Sequence, residues 1–193
     1  MKRPQFVLRL VAAFFCALLA VSPAQSQQKK KMSEAEVRAQ LGKDVQETIA
    51  SYRKTDPGLE RFFKESAGYV VFARIGKVGF IIGGGHGTGE VYEKGQLVGM
   101  AGITLGTVGL QVGAQEFSEI IFFSDSAGLD RFKQNRFEPT ANVSAVIVKA
   151  GASKGANYRD GIAVFTQPTG GAMVEAAFGA QKFKFTPEAA PAK

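Results

Sequence analysis

The chain has 193 residues, 45% of them hydrophobic and 21% charged, which is enough for one domain with a sizeable core. The formal net charge of +7 lies mainly near the N-terminus. It falls to +4 without the three basic residues of segment 1–26, and to +1 without the three lysines of segment 29–31. The rest of the chain is nearly balanced in charge, so a nucleic-acid-binding surface is not indicated.

Residues 1–26 have the pattern of a secretory signal peptide. A short basic region precedes the apolar run 10–21, and small residues follow it. A run of about twelve apolar residues is too short to span a bilayer, which disfavours a retained anchor. We therefore expect an exported protein, periplasmic or secreted. The only cysteine, Cys16, would be removed with the peptide, so no disulfide is expected.

Residues 27–32 are expected to form a basic tether, and residues 33–186 a single domain followed by a flexible tail at 187–193. Three candidate lipid-contacting residues lie in the tether: Lys29, Lys30 and Lys31. Apolar residues recur every three to four positions between Val37 and Tyr52, which predicts an amphipathic helix. This helix either docks on a sheet or lies on a membrane surface, where the tether lysines would add attraction to anionic lipid.

Segment 68–115 holds 14 of the 23 glycines, interleaved with Val, Ile, Phe and Tyr, which predicts twisted antiparallel strands joined by tight turns. Glycines at every second position would leave one strand face almost bare. They are Gly83, Gly85, Gly87, Gly89, Gly109 and Gly113. A bare face marks the close approach of a helix, a bend of the sheet, or a ligand. The two predicted N-terminal helices, the second beginning at Asp56, are the candidates to cover it.

The rest of the chain predicts more strands and one more helix. Val108, Leu110 and Val112 form an apolar stripe that is expected to lie in the core. A central strand is predicted at 116–124 and a helix at 125–134. Further strands are predicted at 142–149, 158–166, 172–178 and 182–185. Together these patterns predict an α+β fold, with N-terminal amphipathic helices packed on a strongly twisted, glycine-rich antiparallel sheet or partial barrel.

Three separated blocks of the sequence carry a further signal. They are AGYVVFARIGKVGFIIGGGHGTGEVY, TLGTVGLQVGAQEFSEIIFFSD and DGIAVFTQPTGGAMVEAAFGAQKF. In this order they resemble the SYLF domain, in its bacterial secreted branch, over about residues 34–186. The resemblance implies a lipid-binding module: eukaryotic members bind phosphoinositides, partly through an amphipathic N-terminal segment, and some fungal members also bind actin filaments. It does not imply catalysis.

The residues that could carry catalysis or bind a metal are sparse. The run GGGHGTG at 83–89 does not fit a nucleotide-binding loop, because no Lys-Ser/Thr pair and no helix follow it. His86 is the only histidine, so a zinc site of several His or Cys ligands is excluded, and a Ser/His/Asp triad lacks partners nearby. His86 is either a histidine tolerated in a turn or a pH-dependent contact to an anionic head group. No metal, cofactor or enzyme activity is expected.

Cationic side chains beside the glycine-rich backbone are the remaining candidates. Arg74 and Lys77 flank one predicted turn, and Lys149, Lys154 and Arg159 bracket another at 151–157. If both turns lie at one rim of the sheet, these side chains form a patch that binds phosphates, with glycine amides as added donors. The alternative is that they are ordinary surface cations that do not meet in space.

These observations predict a non-catalytic, exported module that binds anionic phospholipid head groups at a membrane surface. The alternative is a periplasmic structural or protein-interaction module whose sheet face binds a partner protein. Nucleic acid is not an expected partner of either.

Overall fold

A computed structural model describes residues 32–139 and 145–188, and for Gln111 and residues 172–179 it describes the backbone alone. The predicted signal peptide, most of the predicted tether and the end of the predicted tail lie outside the described residues, as does part of the strand predicted at 142–149. Three candidate site residues lie outside them too: Lys29, Lys30 and Lys31.

The described residues form three α-helices and two short 3-10 turns. The helices are α1 (Glu34–Thr55), α2 (Glu60–Glu65) and α3 (Ser126–Lys133), and the turns are Pro57–Leu59 and Ala152–Gly155. Acidic residues in the first turn of α1 and basic residues in its last turn complement the helix dipole. The Asp125 carboxylate accepts a hydrogen bond from the Gly128 amide, and this cap explains why α3 begins where the sequence predicts it.

Asp56 links the two 3-10 turns. Its carboxylate accepts hydrogen bonds from the backbone N–H of Gly58 (3.1 Å) and from that of Ser153 (2.6 Å). Burial by itself would raise the pKa of this carboxyl, but the hydrogen bonds, chiefly from Ser153, hold the pKa below its ordinary value. The contact places the turn Ala152–Gly155, with Lys154 in it, next to the C-terminal end of α1.

In the part of the chain that the structure describes, five strands form one sheet. They are β1 (Gly68–Gly79), β2 (Ile82–Glu93), β3 (Gln96–Phe123), β4 (Val146–Ile147) and β5 (Ile162–Pro187), in the spatial order β1-β2-β3-β5-β4. The first part of β3 pairs with β2 and its last part pairs with β1, while β5 runs antiparallel to β3 over almost all its length. The strands predicted separately at 116–124 and 172–178 are therefore parts of β3 and β5.

The architecture confirms the α+β class and corrects the expected strand directions. The short strand β4 pairs in parallel with β5, so the sheet is mixed and not wholly antiparallel. Within the described residues the sheet is not closed.

The two faces of the sheet bury separate cores. One face, called here the helix face, packs against α1 and α2. Its core includes Val45, Ile49, Tyr52, Phe62, Val71, Ile120, Phe122 and Phe165. The other face, called the inner face, packs against α3. Its core includes Phe72, Ile75, Ile103, Leu105, Phe123, Leu129 and Phe132. Successive side chains of a strand point to opposite faces of the sheet. In the parts of β1 and β3 that lie between the two cores, both faces are therefore apolar.

The glycine stripe of β2 lies on the inner face. A Cβ atom added to Gly85, Gly87 or Gly89 would lie 2.3–2.7 Å from a backbone oxygen of β1. Side chains near these glycines include Ile75 and Ile103, which belong to the inner-face core. The expectation that the N-terminal helices cover this stripe is therefore wrong. The stripe exists because β1 approaches β2 too closely for any side chain.

The other three glycines of the predicted stripe have different roles. Gly83 is buried on β2. Gly109 and Gly113 adopt φ angles of 142° and 129°, a region that favours glycine. They lie where β3 stops pairing with β2, at Val108, and starts pairing with β1. These two glycines therefore permit the bend by which one long strand serves both partners.

Candidate functional site

The end of the β1–β2 hairpin and the middle of β3 form an exposed apolar cluster, called here the apolar tip. Its side chains are between 51% and 75% exposed: Val78, Phe80, Ile81, Ile82, Val108, Leu110 and Val112. Ile82 pairs with Val108, and the Gly109 N–H donates to the Ile81 carbonyl oxygen at 2.9 Å, so the two parts are adjacent.

The exposure of β3 at the apolar tip corrects the prediction that Val108, Leu110 and Val112 lie in the core. The alternation along the strand does place the three side chains on one face. The helices, however, cover other parts of that face: Tyr52 of α1 packs near Ser118 of β3, and Gln46 of α1 contacts Tyr92 of β2. The stripe is apolar without being covered by the described residues.

The two chain segments that contain the apolar tip have no acidic residue, lysine or arginine over long stretches. Residues 78–89 and 97–115 contain no Asp, Glu, Lys or Arg. The backbone of β5 residues 172–179 pairs with the part of β3 that includes Val112. This segment of β5 contains one acidic residue, Glu175. A contiguous exposed apolar surface of this kind marks a site of contact with a membrane or another protein.

Between α1 and the apolar tip, the helix face carries three exposed cations and one exposed histidine, called here the cationic face: Arg74, Lys182, Lys184 and His86. Two rows of paired residues produce it. One row runs from His86 through Thr104 to Lys182. The next row runs from Arg74 through Thr88 and Gly102 to Lys184. Residues paired across neighbouring strands share a face, so the four basic side chains face the same side of the sheet.

The two sides of the cationic face differ in charge balance. Arg74 forms an ion pair with Glu116 (Nε to Oε1, 3.5 Å), and Asp44 and Glu47 of α1 line the same small cavity as Arg74. Lys182 and Lys184 form no ion pair with any residue that the structure describes. The free positive charge is therefore concentrated on β5.

Sequence reasoning found Arg74 and His86 but missed Lys182 and Lys184. The two lysines lie about a hundred residues further along the chain, and only the pairing of β5 with β3 brings them beside His86. One local signal was present: the alternation Lys-Phe-Lys-Phe at 182–185 places both lysines on one strand face.

A groove of about 810 Å³ includes one residue of the cationic face, His86, and one of the apolar tip, Val78. His86, Lys77, Val78 and Leu105 line it together with bare glycine backbone. Lys77 was predicted to act beside Arg74, but it is only 7% exposed, whereas Arg74 is exposed. The two side chains therefore do not form one surface patch.

The structure does not bring the second predicted group of cations to this site. Lys77 pairs with Gln115 of β3, whereas Arg159 bridges to Ile162, which pairs with Phe123. Eight residues of strand separate these two levels, or about 26 Å. Lys154 lies in the turn held by Asp56, and Lys149 follows β4. The predicted single cationic rim is therefore not formed.

The most strongly buried acid, Glu119, lies on β3. Burial raises the pKa of its carboxyl to about 7, although a hydrogen bond from the Gln181 side chain (3.4 Å) opposes the rise. Its second oxygen, Oε1, has no hydrogen-bond partner among the described residues. Within the same part of the chain, no group of three or more His, Cys, Asp or Glu side chains is placed to hold a metal ion.

Comparison with known proteins adds no family assignment: neither the protein-family models nor the curated proteins contain a match to this chain. Among the described helices, none combines the length and the apolar character needed to cross a bilayer.

Proposed function

We propose that this protein is a non-catalytic lipid-binding module that attaches to a membrane surface through its apolar tip. The observation that carries the proposal is the exposure of seven large apolar side chains in one uncharged cluster. Moving a half-exposed side chain of this size out of water contributes on the order of 1 kcal/mol, so the cluster favours insertion into lipid by several kcal/mol. The predicted signal peptide supports export, and the resemblance to the SYLF domain supports lipid as the ligand.

Anionic phospholipid is the proposed membrane component. The apolar tip is bordered by the cationic face, and each basic residue near an anionic membrane contributes about 1 kcal/mol of attraction. The apolar contacts would provide affinity for any fluid bilayer, and the cations would add preference for negative head groups. The tether lysines, Lys29, Lys30 and Lys31, would add to that preference.

A second candidate function is a periplasmic structural or protein-interaction module. The observation that favours it is the outer edge of β5, where β4 pairs only with Phe165 and Thr166 within the described residues. An uncovered strand edge offers backbone groups to an added strand from a partner chain. Binding of a partner to this edge would require no lipid and would depend little on the salt concentration.

Vesicle co-sedimentation of the mature chain tests the proposal. Phe80→Asp combined with Ile81→Asp places two charges at the end of the hairpin, where both side chains are exposed and the fold should be unaffected. A carboxylate is costly to place within the hydrocarbon, so this variant should lose binding to both neutral and anionic vesicles. Val37→Asp combined with Ile147→Asp is the matched control, because both residues are exposed and lie outside the apolar tip.

The control variant should bind vesicles as the unmodified protein does. Equal binding by the tip variant and the control would overturn the proposal. Absence of binding by the unmodified chain to any vesicle would also overturn it and leave the protein-interaction function as the one to test.

A further inference from the structure

We propose that the cationic face is the phosphate-binding surface for an anionic lipid head group, with Lys182 and Lys184 as its principal contacts. This inference rests on the proposed function, because it assumes that the apolar tip is in the bilayer. It assigns the recognition of the head group to residues that lie far apart in sequence, and it removes that role from Lys149, Lys154 and Arg159.

The first argument is the spacing of the four basic side chains. His86 and Lys182 are separated by one intervening strand, or about 10 Å, and Arg74 and Lys184 by two intervening strands, or about 14 Å. The two rows are about 7 Å apart along the strands. Long side chains on such a frame can converge on one phosphate or contact two neighbouring ones.

The second argument is access. The positions between these basic side chains, and Gly106 in the next row toward the tip, carry small side chains or none: Thr88, Gly102, Thr104 and Gly106. A Cβ atom on Gly106 would meet nothing within 4 Å, and one on Gly102 would meet only the Lys184 carbonyl oxygen at 4.0 Å. The threonine hydroxyls can donate hydrogen bonds to phosphate oxygens. A head group can therefore approach the sheet without meeting bulky side chains.

The third argument is height above the tip. His86 follows Ile82 of the tip by four residues along β2, and Thr104 precedes Val108 of the tip by four residues along β3. Four strand residues span about 13 Å. Peripheral proteins insert their apolar surface about 5–10 Å into the boundary between head groups and acyl chains. Insertion of the apolar tip to this depth leaves the cationic face at the level of the phosphates.

The fourth argument is charge complementarity. The carboxylate of Glu116 partly neutralises Arg74, whereas Lys182 and Lys184 have no acidic partner among the described residues. Both ammonium groups are thus available to an external anion. This is the reason for assigning the main contacts to the β5 side of the face.

The test is binding of the Lys182→Glu/Lys184→Glu variant to vesicles of phosphatidylcholine alone and of phosphatidylcholine with phosphatidylglycerol. The variant should bind the anionic vesicles at least about 30-fold more weakly than the unmodified protein, since each basic residue near an anionic surface contributes roughly a factor of five. Binding to phosphatidylcholine alone should be unchanged, because the apolar tip is intact. The Lys149→Glu/Lys154→Glu variant is the control, since it changes the net charge equally at two exposed lysines.

The outcomes separate this inference from the proposed function. If the tip variant loses vesicle binding but Lys182→Glu/Lys184→Glu keeps its preference for anionic vesicles, the inference is wrong and the proposed function stands. A loss that is equal in the Lys149→Glu/Lys154→Glu control would show that net charge alone decides, and would also overturn it. Lys182→Gln/Lys184→Gln should give a smaller loss in the same direction, which excludes an effect of the introduced acids on folding.

A soluble head group distinguishes the bilayer from a free phosphate compound as the ligand. Titration with glycerol 1-phosphate, followed through the amide resonances of residues 102–106, should show only weak binding. Binding of this compound as tight as binding to vesicles would overturn the assignment to a membrane-embedded lipid.

Discussion

The Tyr52 hydroxyl of α1 donates a hydrogen bond to the backbone carbonyl oxygen of Ser118 in β3, at a distance of 2.8 Å, and both residues are buried. This contact sets how far α1 reaches along the helix face. The apolar residues of β3 at 108–112 lie at least six strand positions beyond it, or about 20 Å away. The position of one helix therefore determines which part of an apolar strand is core and which part is exposed.

Replacing Tyr52 with phenylalanine should lower the free energy of unfolding by about 1–2 kcal/mol, because a buried hydrogen bond is lost while the ring remains. The hydroxyl also lies 3.4 Å from the Phe165 carbonyl oxygen, so its removal weakens the contact with two strands. Urea denaturation followed by circular dichroism measures the change.

The control for this substitution is Tyr158→Phe. The Tyr158 hydroxyl is buried and has no hydrogen-bond partner among the described residues. Its removal should leave stability unchanged or raise it slightly, since an unpaired buried hydroxyl costs free energy. Equal destabilisation by both substitutions would contradict the role assigned to the Tyr52 hydrogen bond.

Glu119 should make the protein less stable as the pH rises from about 4.5 to about 7. The pKa of its carboxyl is 4.5 in the unfolded chain and about 7 in the folded protein. Between these pH values the unfolded chain has released the proton, whereas the folded protein retains it. The contribution of Glu119 to stability is fully present below about pH 4.5, and it decreases as the pH rises through about 7. Glu119→Gln should remove this dependence and raise the unfolding free energy at pH 8 by roughly 3 kcal/mol.

Denaturation curves from pH 4 to pH 8 test this expectation. Glu116→Gln is the comparison, because Glu116 is only partly buried and its ion pair with Arg74 is exposed to solvent. A Glu119→Gln variant with the same pH profile as the unmodified protein would show that Glu119 is ionised in the fold.

Gly89→Ala should be strongly destabilising, by at least about 1–3 kcal/mol. The added Cβ atom would lie 2.3 Å from the Val71 carbonyl oxygen and 2.8 Å from the Phe72 ring, so β1 would have to move away from β2. Gly106→Ala serves as the control, since its Cβ atom meets nothing within 4 Å. Thermal denaturation of both variants checks the prediction, and a similar melting temperature for the two would argue against a close approach at β2.

Several parts of the fold could be predicted from local patterns. The cap at Asp125 and the apolar spacing after it predicted α3, and alternation predicted that the glycines of β2 share one face. The same alternation was insufficient to say which face is buried. Val108, Leu110 and Val112 were predicted to lie in the core, because no feature of the local sequence distinguishes an apolar stripe beneath a helix from one exposed to solvent.

The candidate site was less predictable than the fold. Arg74 and His86 were identified because they lie inside the glycine-rich segment. Lys182 and Lys184 were not, because a lysine pair near the end of a chain has no local feature that relates it to a histidine about a hundred residues earlier.

The sequence by itself determined the class of fold and the alternation along each strand, because both depend on residues close together in the chain. Only the tertiary structure decided where the apolar tip and the cationic face lie. The position of the apolar tip depends on which part of the helix face α1 covers, and the contact between Tyr52 and Ser118 helps to set this. The position of the cationic face depends on the pairing of Thr104 with both His86 and Lys182. Contacts between distant segments set both, and no local pattern encodes them.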